Sequence, residues 1–155
     1  MTEHEVKMSQ ADMVFKILGF KRIHEETHGK LPQELQIVDI IRRGFPVDSA
    51  RRVAEYYGIT DAQVATLLGA SERTLSRRRK EDKPLDATES DRLYRLARIG
   101  VRTLEVFEND ETSRKWLKRH NRALGGAVPL EMLDTDAGTE QVDELLTRIE
   151  YGVYS

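Results

Sequence analysis

The sequence predicts an all-α protein: a helix-turn-helix DNA-binding-like domain followed by a second, small helical domain. Three observations carry this. Apolar residues recur at intervals of three and four along most of the chain. The period-two alternation of branched and aromatic residues that marks strands is nearly absent. Glycines and prolines such as Gly29, Pro32, Gly44, Gly58 and Pro84 punctuate the helical stretches.

The elements follow in chain order. Ser9 to His28 reads as a helix with Met13, Ile17 and Phe20 on one face, broken by Gly29 and Pro32. Pro32 to Arg43 carries Leu35, Val38 and Ile41 at helical intervals and stops at Gly44. Pro46 and Asp48 open a third helix, whose Ala50, Val53, Ala54 and Tyr57 share a face before Gly58. Two short helices follow, Asp61 to Leu68 and Ser71 to Lys80, and Lys83-Pro84 marks a boundary. Thr88 is the expected N-cap of the longest helix, along which Leu93, Leu96, Ala97, Val101 and Leu104 recur until Asn109-Asp110. A helix from about Glu111 to Asn121 surrounds Trp116 and Leu117, a Gly/Pro-rich turn LGGAVPLEML follows, and a last helix runs from about Thr139 to Ile149.

Bulk properties narrow the function classes. The 155 residues are 39% hydrophobic and 34% charged, enough for a modest core and unlike a disordered chain. The net charge of −2 gives no overall basic character. The absence of cysteine excludes disulfides, thiolate metal sites and thiol nucleophiles. With no signal-peptide pattern and no apolar run of about 20 residues, the expectation is a cytoplasmic protein that does not enter the membrane.

The stretch TDAQVATLLGASERTLSRRRK has the spacing of a helix-turn-helix. Ala65 is the small residue where two helices cross closely. Gly69, four residues on, suits a turn at positive φ, because glycine has no Cβ to clash. Leu75, six residues further, returns to the core, with Val64, Leu68 and Ala70 also inward and Ser71 as the cap of the second helix. That helix presents Arg73, Thr74, Arg77 and Arg78 outward, near Arg79 and Lys80. Ser71 to Lys83 holds six basic and three acidic residues in a slightly acidic chain. In DNA-binding helix-turn-helix units the start of this helix enters the major groove and basic residues grip phosphates. The candidate DNA-binding set is Gln63, Ser71, Arg73, Thr74, Arg77, Arg78, Arg79 and Lys80. The alternative is a helical hairpin with a solvated basic face, or a helix-turn-helix kept for dimerisation.

His24 to His28 reads HEETH, a literal match to the zinc-peptidase pattern in which two histidines bind metal and the glutamate activates water. Its flanks are Lys21, Arg22, Gly29 and Lys30, with Glu26 at an inner position, which fits a solvated helix end better than a metal-bearing helix. No phosphate-binding glycine loop, nucleophile elbow or recognisable catalytic triad occurs, and no metal or cofactor is expected.

The second half carries several spaced motifs in order: SDRLYRLAR from Ser90, F-x-x-x-E-x-x-x-x-W-L from Phe107 to Leu117, N-x-A-L-G-G-x-x-P-L from Asn121 to Leu130, D-T-D-A-G from Asp134 to Gly138, and the terminal R-I-E-Y-G-V-Y. From Pro84 onward the chain thus resembles the toxin-binding domain shared by MbcA, ParS and Xre-type antitoxins, and the preceding helices resemble the DNA-binding half of the same proteins. The resemblance implies a helix-turn-helix domain over 32–83 and a toxin-binding domain over 84–155; residues 1–31 match nothing in it and read as an N-terminal helical extension. It implies an antitoxin with no cofactor and no catalysis of its own. The partner would be a RES-domain toxin that depletes NAD⁺, and the DNA half would bind operator and repress the chain's own operon. A homodimer is implied by two-half-site operators, with a higher-order complex when toxin binds. The alternative is a helix-turn-helix regulator whose C-terminal helices only dimerise.

The toxin-binding residues carried over are Leu124, Gly125, Gly126, Pro129, Leu130, Arg148, Glu150, Tyr151, Gly152, Val153, Tyr154 and Ser155. Glu131 to the end has seven acidic residues and one basic residue, complementary to a basic pyrophosphate site. Val142, Leu145, Leu146 and Ile149 would anchor the last helix. Glu150 and the terminal carboxylate would meet toxin cations, and Tyr151 and Tyr154 would fill pockets. The alternative is that these tyrosines cover the protein's own core.

Overall fold

A computed structural model describes residues 9–19 and 33–152, with side chains described from 37 in the second block. Eight α-helices are described: α1 (Gln10–Ile17), α2 (Gln33–Arg43), α3 (Asp48–Tyr57), α4 (Asp61–Leu68), α5 (Glu72–Glu81), α6 (Ala87–Phe107), α7 (Asp110–Lys118) and α8 (Asp136–Glu150). Two 3₁₀ segments, Arg122–Leu124 and Pro129–Asp134, lie between α7 and α8. The described residues contain no strand, as the missing period-two pattern requires, and no helix long and apolar enough to cross a membrane.

The long helix α6 is the axis of the fold, and α1, α2, α3, α4, α7 and α8 all pack on it. Leu93, Leu96, Ala97, Ile99 and Val101 on α6 are sealed from solvent. A chain this small gains most from one shared core, since surface falls relative to volume as a core grows. The buried residues accordingly form one cluster running from Val14 on α1 to Leu146 on α8. Tyr57 is fully buried, and its hydroxyl donates to the Leu96 carbonyl at 2.5 Å. That approach leaves no room on α6: a Cβ on Gly100 would sit 2.7 Å from the same hydroxyl.

Four readings of the sequence are corrected. The first helix stops at Ile17 instead of His28, because Leu18 caps it and Gly19 turns at φ +90°. Its buried face is Val14, Phe15 and Leu18, with Met13 and Ile17 at the margin; Phe20 and the HEETH stretch lie outside the described residues. On α2, Ile37, Ile40 and Ile41 pack on the core while Val38 is 43% exposed, so the helix is rotated from the expected stripe. The cap of α6 is Asp86, not Thr88. Asp86 accepts from the Glu89 N–H and Glu89 accepts from the Asp86 N–H, a reciprocal pair that Thr88 cannot make from inside the first turn. The final helix begins at Asp136, earlier than Thr139, with Thr135 as its cap.

The loop between α2 and α3 is pinned to the entry of α6. Leu85 N–H donates to the Phe45 carbonyl at 2.9 Å, and Phe45 N–H donates to Ser90 Oγ at 2.9 Å. A Cβ on Gly44 would lie 2.0 Å from the Leu85 carbonyl oxygen, so only glycine admits this crossing.

Candidate functional site

The helix-turn-helix is formed by α4, the Gly69 turn and α5. Thr60 and Gln63 make a capping box that starts α4. Gly69 ends it at φ +70°, and Ala70 N–H reaches back to the Ala65 carbonyl at 2.9 Å. Val64, Ala65, Leu68 and Leu75 are buried, as the spacing predicts. The turn is held from outside as well. Arg92 on α6 donates to the Leu68 carbonyl at 2.9 Å, and a Cβ on Gly69 would sit 2.0 Å from that guanidinium.

Ser71 caps α5 by accepting from Thr74 N–H at 3.0 Å, and the two hydroxyls are 2.8 Å apart. Ser71 and Thr74 therefore have a folding role at the point where α5 would meet DNA. Arg73, Arg77 and Lys80 are exposed. Arg78 is the exception to the outward set. It turns inward, pairing with Glu89 and lying 3.8 Å from Asp86, with its side chain only 18% exposed. It follows Leu75 by three residues and so falls on the core-facing side of the helix. Glu89 is 5% exposed, and the paired guanidinium offsets the cost of burying its charge. Arg79 is half-buried, and its Nε finds no hydrogen-bond partner among the described residues.

Arg79 and Arg73 line a groove of about 400 Å³ together with Arg51 of α3, Asp61 and Glu72. Arg51 was not legible as part of this surface, since it precedes the motif and only the fold brings it alongside α5. Gln63 sits elsewhere. Its side-chain oxygen accepts from the Thr60 N–H at 2.9 Å, and it lines a cavity of about 340 Å³ with Thr66, Leu130, Glu131 and Asp134. It thus faces the 3₁₀ segment of the C-terminal half.

In that half, the glycine turn is held by its own backbone and by the Asn121 side chain. Asn121 Oδ1 accepts from Ala123 N–H at 3.0 Å, and Gly126 N–H donates to the Asn121 carbonyl at 2.8 Å. Gly125 and Gly126 are exposed at φ +66° and +85°. Leu124 is half-buried, and Pro129 and Leu130 are buried, so these last two serve the core instead of presenting side chains to a partner. The D-T-D-A-G motif is likewise a folding device. Thr135 caps α8, and a Cβ on Gly138 would stand 2.0 Å from the Met132 carbonyl oxygen.

Along α8, Val142, Leu145 and Leu146 are buried and Ile149 is half-buried, which anchors the helix as expected. Beyond them the surface opens. Arg148 is exposed, Tyr151 is 76% exposed, and Gly152 turns the chain at φ +68°. Tyr151 therefore does not cover the protein's own core. Glu150 is already occupied: Arg102 of α6 donates to its carboxylate at 2.6 Å and to Thr147 Oγ1 at 3.2 Å, and lies 3.5 Å from Asp143. The Arg102 hydrogen bond and charge hold the Glu150 carboxyl below the ordinary glutamate value, and the same bond raises Arg102. Val153, Tyr154 and Ser155 lie outside the described residues. Among the described residues no group of three or more His, Asp and Glu side chains is placed to hold a metal ion.

Comparison with known proteins matches both halves. Residues 36–98 match a family model described as the antitoxin Xre-like helix-turn-helix domain. Residues 103–152 match the antitoxin Xre/MbcA/ParS C-terminal toxin-binding domain. A protein named Antitoxin Xre from Yersinia enterocolitica is 31% identical over 120 residues, covering 77% of this chain and 81% of that protein. Another Antitoxin Xre, from Photorhabdus laumondii, is 31% identical over 117 residues, covering 75% and 79%. A protein from Sphingobium sp. named Prs ADP-ribosylating antitoxin is 26% identical over 128 residues, covering 76% and 80%.

Proposed function

This chain belongs to the Xre family of antitoxins, and we propose that it neutralises a RES-domain, NAD⁺-consuming toxin by covering the toxin's active site with its C-terminal end. The observation that carries this reading is Tyr151: a large aromatic side chain, 76% exposed, stands directly after a helix whose inner face is otherwise spent on the core. Tyrosine gives apolar area and a hydrogen-bonding tip at low entropy cost, which suits it to a partner's pocket. The exposed carboxylates Glu140 and Glu144 on α8 complement a site built to hold pyrophosphate. The Sphingobium relative's name adds support, because ADP-ribosylation draws on NAD⁺.

The DNA half would repress the chain's own operon. Arg73, Arg77 and Lys80 are its exposed cations on α5, with Arg79 and Arg51 beside the groove. Half-site operators would call for a homodimer in the cytoplasm, assembling further with toxin. The antitoxin performs no catalysis in this reading. Co-purification with the product of the adjacent gene tests it. A protein that binds operator and captures no toxin would instead be a regulator whose C-terminal helices only dimerise.

A further inference from the structure

We infer that Arg102 is a positioning residue for the inhibitory end: by holding Asp143, Thr147 and Glu150 it fixes the direction in which Tyr151 and Gly152 leave α8. The inference rests on the proposed neutralisation of a toxin by that end.

The last turn of a helix frays unless something holds it, because its final carbonyls have no partners within the helix. In α8 the fully buried contacts end at Leu146, and only the half-buried Ile149 follows. Packing alone therefore leaves Glu150 and Tyr151 at a free end. Arg102 supplies a side-chain restraint across to α6, beside the cap bonds from Tyr151 N–H to the Thr147 carbonyl and from Gly152 N–H to the Ile149 carbonyl. Its three partners sit at positions i, i+4 and i+7, one stripe of α8 facing α6. A guanidinium presents five donors in a rigid fork, so one side chain spans the three groups where an ammonium would meet fewer of them. The Arg102 side chain is 17% exposed, wedged between the helices, so the restraint is fixed on both sides. Glu105, one turn further along α6, adds a further negative charge beside it.

This arrangement changes the role of Glu150. Glu150 Oε2 is already held by an arginine at 2.6 Å, so a toxin cation reaching for this carboxylate would share it with Arg102. Glu150 therefore acts on the toxin through Arg102, by aiming the aromatic end. An end held in its bound direction before the encounter loses less entropy on binding, and the gain appears mainly as slower dissociation.

The test uses the full chain and the toxin that co-purifies with it from the adjacent reading frame. Toxin dissociation is followed for the wild type, Arg102→Ala, Glu150→Ala, the double variant and a chain ending at Glu150. Glu150→Ala should speed dissociation by about tenfold, an order expected for losing one preorganising contact, and Arg102→Ala, which loses all three, by at least as much. The double variant should be no worse than Arg102→Ala alone, while melting temperature and operator affinity stay as in the wild type. An Arg102→Ala chain that holds toxin normally overturns the inference. So do additive effects, which would mean that Glu150 meets the toxin directly. A joint fall in melting temperature and operator affinity would make Arg102 a general strut and overturn it too. If the chain ending at Glu150 holds toxin as well as the full chain, the proposed neutralisation by the tail fails instead.

Discussion

Arg102 and Glu150 lie 48 residues apart in sequence and are joined by a 2.6 Å charge-assisted hydrogen bond between α6 and the end of α8. Its acid limit follows from the direction of the Glu150 shift. The carboxyl is held below its ordinary value, so the pair's contribution, small because Glu150 is solvent-exposed, is fully present above the unfolded-state pKa and is lost as pH falls through the lower folded-state value. A carbon-detected titration of the Glu150 carboxyl should give a midpoint below about 4.3, the ordinary glutamate value, and Arg102→Ala should return it there.

The two neighbouring arginines on α5 separate the proposed DNA contact from folding. Arg77→Ala should weaken operator binding and shallow its salt dependence by up to about one unit, as expected when one phosphate contact is lost. Arg78→Ala leaves the Glu89 carboxylate, 5% exposed, without its cation. Breaking such a pair costs about 3 kcal/mol, so Arg78→Ala should melt well below Arg77→Ala in a thermal scan.

Gly138 tests the junction between the 3₁₀ segment Pro129–Asp134 and α8. An alanine there would place Cβ 2.0 Å from the Met132 carbonyl oxygen, a backbone atom that moves only with the whole segment. Denaturant unfolding of Gly138→Ala should show a loss of about 1–3 kcal/mol, the usual cost of overpacking.

What the sequence made legible depended on how local the cause was. The register of Ala65, Gly69 and Leu75 is set by one turn and two short helices, and all three fall where their spacing put them. The α6 stripe was readable because a long amphipathic helix averages out local accidents. The cap at Asp86 was missed because Thr88 offers a comparable oxygen two residues on; the choice is made by Glu89 and by Leu85 bonding to Phe45. Val38 was misplaced because the rotation of α2 is set by the surface it lands on. Arg77 and Arg78 differ only in register: Arg78, three residues after Leu75, falls on the core-facing side, and the buried Glu89 that it meets there lies beyond the motif. The roles of Pro129, Leu130 and Gly138 were hidden in the same way: their motifs could be read, but not whether each residue faces the core or a partner. Arg102 carries no local signal at all, since its partners lie 41 to 48 residues away.

The most direct measurement of the central claim is NAD⁺ consumption by the co-purifying toxin, titrated with the full chain and with a chain ending at Glu150. The full chain should suppress it at stoichiometric ratio. The shortened chain should melt at the same temperature and bind operator equally well, because Tyr151 is 76% exposed and contributes little to the fold, yet should leave the toxin active. A shortened chain that suppresses the toxin as completely as the full one would contradict the account.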